Sequence, residues 1–201
     1  MHMQFWRGMA PSSRSATAPT ASTATEGISA SSMVLTESFI RLLRHTFRLD
    51  WEGLHGAPHW SRVRDNGLRL ARGTGANVQV VEYFAFLHDV CRRNDGRDPE
   101  HGLRAAKFAG AIRADHIALG NLEFELLVTA LEGHTGGTNP GDITVATCWD
   151  SDRLDLGRLG IRPVPERLCT EVAQRSEVID QAWDRSRAWL ERHALKRADH
   201  L

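Results

Sequence analysis

Beyond residue 35 apolar positions recur with a helical period, and nowhere do they settle into the alternation of a half-buried strand. Thr36 precedes a segment in which Phe39, Ile40, Leu42, Leu43 and Phe47 return about every 3.6 residues, and so reads as the N-cap of a first helix. A second helix is expected from Pro58, suited to a first turn, to Ala71, with Val63, Leu68 and Leu70 inward. Asn77 caps a third, whose apolar run from Val80 to Leu87 ends on His88 and Asp89. Asp98-Pro99 is a start signal, a capping Asp followed by Pro, for a fourth helix that carries His101 in its first turn. Leu122 to Leu131 forms a fifth, and Asp142 caps a sixth that continues through Leu156. From Glu166 to about His193, Val172, Ile179, Ala182, Trp183 and Leu190 mark one or two further helices. The expected class is all-α, a single helical bundle.

The first 32 residues break this pattern. They are rich in Ser, Ala and Thr and hold few large apolar side chains after Trp6, so they bury too little surface to offset ordering entropy. Residues 1–32 are therefore expected to be a disordered tail and residues 33–201 the helical domain. Arg7 and Arg14 against Glu26 suggest a transit peptide, but the amphipathic face is missing, and Met33 is a sensible alternative start.

Composition narrows the function. The 201 residues suit one domain with one core, and 25 Lys and Arg balance 25 Asp and Glu, so no overall field favours a nucleic-acid duplex. No apolar stretch approaches the roughly 18 residues of a membrane helix, which leaves a soluble protein as the expectation. Cys91, Cys148 and Cys169 share no C-x-x-C spacing, which argues against a disulfide framework or thiolate zinc module and for a reducing cytoplasm. Self-association into a homodimer is compatible with all of this.

Chemistry concentrates at His88-Asp89, where ionisable groups close an apolar helix. Placing them against a core is costly unless a metal or hydrogen bonds compensate, and imidazole with carboxylate suits borderline divalent ions. His59 and Asp152 lie in other helical segments and can join them, because a helical bundle builds a metal site from inward side chains on facing helices. Asp150 rivals Asp152, since two residues so spaced cannot both face one point on a regular helix.

With these residues in place the chain resembles the HD-domain metal-dependent phosphohydrolase superfamily. The matching segments are HWSRV from His59, the doublet His88-Asp89 after its apolar helix, and SDRL containing Asp152, in that order across roughly residues 55–160. The resemblance implies a helical bundle in which His59, His88, Asp89 and Asp152 bind a metal and act on a phosphomonoester or phosphodiester of a nucleotide or other small phosphorylated metabolite. His101 and His134 resemble the additional histidines of dinuclear branches, either as ligands of a second ion or as residues lining the site. One or two ions of Mn, Fe, Co, Ni or Zn fit such a donor set. No G-Y-P follows His134, and Cys91 to Asp95 replace the acidic residues that follow the doublet in guanosine tetraphosphate hydrolases, so the substrate does not carry over.

A divalent ion activates water at neutral pH and polarises a phosphoryl oxygen. Arg62, Arg92 and Arg153 adjoin the expected ligands and are candidates for clamping substrate phosphate, as well as for ordinary surface ion pairs. Asp155, three positions after Asp152, is either a carboxylate supporting the metal ligands or, more simply, a solvent-facing partner of Arg158. No catalytic acid or base stands out, His55 is expected outside the ligand set, and Trp60 and Trp149 are expected to be core walls. Two other functions share the frame: a di-iron oxygenase, which needs all six ligands, and a non-catalytic sensor or binding module stabilised by metal.

Overall fold

The computed structural model describes residues 34–198, with side chains to residue 193. The expected tail, residues 1–32, lies outside them. Among the described residues the chain is all helical, with no strands. Seven α-helices follow in order: α1 Glu37–Thr46, α2 Ala57–Thr74, α3 Val78–Leu87, α4 His101–His116, α5 Asn121–Gly133, α6 Ile143–Arg153 and α7 Ser176–Ala198. Short 3-10 segments at Leu154–Leu159 and Pro165–Arg167 join α6 to α7.

Three of the caps form as expected. The Thr36 hydroxyl accepts from Phe39 N at 3.2 Å, the Asn77 side chain from Gln79 N and Val80 N, and Asp142 from Thr144 N at 2.6 Å. Asp98 does not cap α4. Its carboxylate accepts from Arg93 N and Arg104, which holds its pKa down at about 2, and the helix starts three residues later. The expected helical run from Glu166 to His193 is also corrected: Leu168 to Arg175 is turn and loop, because buried Asp150 accepts from Cys169 N, Thr170 N and the Thr170 hydroxyl and pins the chain there.

Helix α3 is the axis of the molecule. Val80 through Leu87 are all buried, and α2, α5 and α6 pack around them. Its one charged member, Glu82, is neutralised by Arg64 of α2. Helix α7 packs on the Leu154–Leu159 segment, and Leu70, Leu154, Leu168, Ala173, Ile179 and Ala182 form a second apolar cluster there. Trp60 and Trp149 are core walls, 1% and 3% exposed. No described helix is long and apolar enough to cross a membrane.

Close approach of α2 to α3 and α6 depends on Gly67, where an added Cβ would lie 2.4 Å from Val81 Cγ1 and 3.4 Å from Ser151 Cβ. Overpacking of this kind costs about 1–3 kcal/mol. Gly67→Ala is therefore expected to lower stability by about that amount in urea denaturation; an unchanged midpoint would show that the helices separate freely.

Candidate metal centre

His59 is brought to the centre by the first turn of α2, while α3 delivers His88 at its C-cap and Asp89 one residue later. His101 opens α4, His134 is the C-cap of α5, and Asp152 lies near the end of α6. Five helix ends thus converge, and the chain can end five helices there because each terminal side chain replaces a core hydrophobe. His59, His88, Asp89, His101 and His134 are all 4% exposed or less.

The tautomers follow from what lies behind each ring. His88 Nδ1 faces Ala85 O at 3.0 Å and Phe84 O at 3.3 Å, His134 Nδ1 faces Leu131 O at 2.8 Å, and His101 Nδ1 faces Asp98 O. His59 Nδ1 faces Asp155 Oδ2 at 2.7 Å. Carbonyl and carboxylate oxygens only accept, so every Nδ1 carries the hydrogen and every Nε2 is left with a bare lone pair. These lone pairs point at one another: Nε2 of His59 and His88 are 3.0 Å apart, and Nε2 of His101 and His134 are 2.7 Å apart.

Asp89 divides its oxygens between the two pairs. Oδ2 lies 3.6 and 3.7 Å from Nε2 of His59 and His88, and Oδ1 lies 3.2 and 4.0 Å from Nε2 of His101 and His134. Asp152 Oδ1 closes the first group at 3.4 Å from His59 Nε2 and 3.8 Å from His88 Nε2. Two trios therefore share Asp89, and each brings its ligand atoms within 4.8 Å of one another. Nitrogens about 2.1 Å from a common ion and at right angles lie about 3.0 Å apart, so the donor spacing suits a cation.

Protons are a poor substitute for that cation. Burial drives the His88 pKa down to about 3, with Asp89 and Asp152 opposing the shift and His59 and His134 adding to it. His134 is lowered too, again chiefly by burial. Burial also works to raise Asp89 and Asp152, yet neighbouring imidazoles and arginines win and hold both carboxylates ionised, well below their ordinary range. Asp89 and Asp152 are thus anions at the centre, and His88 and His134 neutral nitrogen donors.

Behind it, Asp155 is fully buried and not solvent-facing, which corrects the simpler expectation. Its Oδ1 accepts from Arg62 Nε at 2.7 Å and the Ser186 hydroxyl at 2.6 Å, and its Oδ2 accepts from Arg62 Nη2 at 2.9 Å as well as from His59. Burial opposes ionisation, but these donors keep its pKa down at about 2. Arg62 consequently supports His59 from behind, stacked 4.5 Å over Trp189, and is not available for the substrate phosphate role expected of it. Asp150 is turned away on the Cys169–Thr170 turn, so of the two rivals it is Asp152 that faces the His/Asp cluster.

A cleft of about 910 Å³ opens over the centre, with Asp89, His101, His134 and Asp152 among its lining residues. Arg92 reaches its floor, Nη1 lying 3.5 Å from Asp89 Oδ1 and 3.4 Å from His101 Nε2. Arg153, expected at the phosphate, instead ties the walls together: Nη2 donates to Gly137 O at 2.6 Å and Nη1 to Arg167 O at 3.1 Å. Two features escaped the sequence reading. Arg158, 5% exposed, donates to Leu54 O and Asp155 O and brings Nη2 to 3.9 Å from Asp152 Oδ1. His55, also buried, pairs through Nδ1 with Asp95 Oδ1 at 2.8 Å on the cleft wall, and its spacing four residues before His59 was the available signal.

No protein-family model, curated protein or solved structure matches this chain.

The pKa of His88 sets a pH dependence for metal-free protein. Unfolded, His88 binds a proton as pH falls through its ordinary value of 6.5, whereas folded it resists until about 3. The unfolded state therefore holds more protons across that window, and folding stability declines as pH falls through it. Calorimetric melting of metal-free protein should show a plateau above about pH 6.5 and a falling Tm below it, with a shallower fall in His88→Gln; a flat profile would contradict the buried neutral imidazole.

Proposed function

We propose that this chain is a metal-dependent phosphohydrolase of the HD-domain type, acting on a phosphate ester of a small metabolite in a reducing cytoplasm. The observation that supports it most is the pair of facing Nε2 contacts, His59 with His88 and His101 with His134, joined by the two oxygens of Asp89 beneath an open cleft. Divalent ions held by His59, His88, Asp89 and Asp152, and by Asp89, His101 and His134, would supply Lewis-acid charge and an acidified water.

The remaining work falls to the chain's own side chains. Arg92 and Arg158 flank the centre at opposite ends, next to Asp89 and Asp152, and offer guanidinium donors to phosphoryl oxygens not held by metal. His55, with Nδ1 directed at Asp95 and its pKa lowered by burial, is neutral with a bare Nε2 on the cleft wall, and would accept a proton from the attacking water and pass it to the departing ester oxygen. Water oxygen then bonds to phosphorus as the phosphorus–ester oxygen bond breaks, releasing phosphate and the alcohol.

Purified full-length protein supplied with Mn, Fe, Co, Ni or Zn is expected to release phosphate from at least one member of a phosphomonoester and phosphodiester panel, and chelator should abolish turnover. His88→Ala and Asp89→Ala should be inactive while still helical by circular dichroism. Metal-dependent turnover surviving in both variants would overturn the proposal.

His55→Ala is expected to lower kcat by about 10²–10⁴-fold on an alkyl phosphate and on p-nitrophenyl phosphate alike, because a base toward water serves both. Unchanged turnover of both substrates would remove His55 as the base.

A second reading is favoured by the two trios that share Asp89: the same frame loaded with two irons as an oxygenase. An oxygen-dependent optical change in iron-loaded protein would select it, and a single bound ion per chain would exclude it.

A further inference from the structure

The cleft is chemically two-sided. Its floor carries the His/Asp centre with Arg92 and Arg158, whereas the wall built by the segment after α6 presents Leu156, Leu159, Ile161, Pro163, Val164 and Leu168. Leu159, Ile161 and Val164 are 41%, 53% and 46% exposed, so three of the large apolar side chains that the described residues leave in water gather on this one wall. Facing them is the Gly136, Gly137, Thr138 and Pro140 loop, a surface of small side chains.

The wall is held, not loose. Gly160, at φ 74°, ends the Leu154–Leu159 segment in the left-handed region, and Val164 is extended ahead of Pro165. Arg162 pairs with Asp180 of α7, and Asp150 anchors Cys169 and Thr170 at the far end. Aliphatic side chains on a fixed backbone at the mouth of a site are a binding surface for apolar matter.

The lining also says what the organic part of the substrate is not. Among the described residues it includes no Phe, Tyr or Trp to stack a nucleobase and no Asn or Gln to pair with base edges or sugar hydroxyls. Of its carboxylates, Asp89 and Asp152 belong to the centre, Asp95 is engaged by His55, and Glu166 is exposed two residues beyond Val164.

We infer that the site takes an amphipathic anion: a phosphate ester whose organic part is an alkyl or aryl group, with the phosphate on the centre and the apolar part against Leu159, Ile161 and Val164. This deepens the phosphohydrolase reading and rests on it for the placement of the phosphate. The volume of about 910 Å³ falls within the range of small-ligand sites, and metal ions held on the floor, together with Arg92 and Arg158, would orient the anion inward.

Binding separates this inference from catalysis. Full-length protein loaded with manganese is titrated calorimetrically with hexylphosphonate and methylphosphonate, neither of which can be hydrolysed. Hexylphosphonate should bind roughly tenfold tighter or better, because each buried methylene adds a severalfold gain. The double variant Ile161→Ser with Val164→Ser, at two exposed positions and with an unchanged melting temperature, should erase that difference while leaving methylphosphonate affinity unaltered. The preferred ester should be hexyl phosphate over glucose 6-phosphate or adenosine monophosphate.

Equal affinities for the two phosphonates, a preference that persists in the double variant, or better turnover of the sugar phosphate or nucleotide would overturn the inference and leave the hydrolase reading intact. Tight, variant-sensitive hexylphosphonate binding with no ester turned over would uphold the inference and sink the hydrolase. A sedimenting dimer that the double variant dissociates would make the wall a contact between copies and overturn the inference.

Discussion

Everything in this molecule is arranged around lone pairs that face one another in a dry place. Four imidazoles, each fixed in one tautomer by an oxygen behind Nδ1, turn bare Nε2 atoms toward a common centre that also holds two ionised carboxylates. Facing lone pairs repel and buried carboxylates lack solvation, so the arrangement is unfavourable unless positive charge enters. The fold confines that cost to one point by ending five helices there, while α3 supplies an apolar axis long enough to carry it.

A second ring of contacts keeps the geometry from relaxing. Asp155 is the clearest case, since four donors from three residues on two helices meet its two oxygens: His59, both Arg62 contacts and Ser186. Helix α7, remote from the ligands in sequence, therefore has a role in the centre through Ser186, and its packing on the Leu154–Leu159 segment is part of how His59 is aimed.

The helical class and the centre of the buried His/Asp cluster were legible because they are local signals. Thr36, Asn77 and Asp142 cap helices through bonds only two or three residues long, and His88-Asp89 stands out against an apolar run. What was hidden depends on tertiary pairing. Asp98 looked like a cap until Arg93 and Arg104 claimed it, and Arg62 looked like a phosphate clamp until Asp155, 93 positions later, engaged its Nε and Nη2. Arg158 carries no spacing that sets it apart from surface residues, so only its burial against Leu54 does so, whereas His55 was marked only by its place four residues before His59.

Arg153 has a further significance as a rivet. One guanidinium grips Gly137 on one side of the cleft and Arg167 on the other, its face lying 5.5 Å over Trp149, whose indole fills the space beside Gly133 and Gly137. Two flaps fastened to the same helix end do not swing independently. Access to the buried donors is consequently governed by the fixed width of the mouth, and the molecule discriminates among visitors as a gauge does, by what passes through a rigid opening.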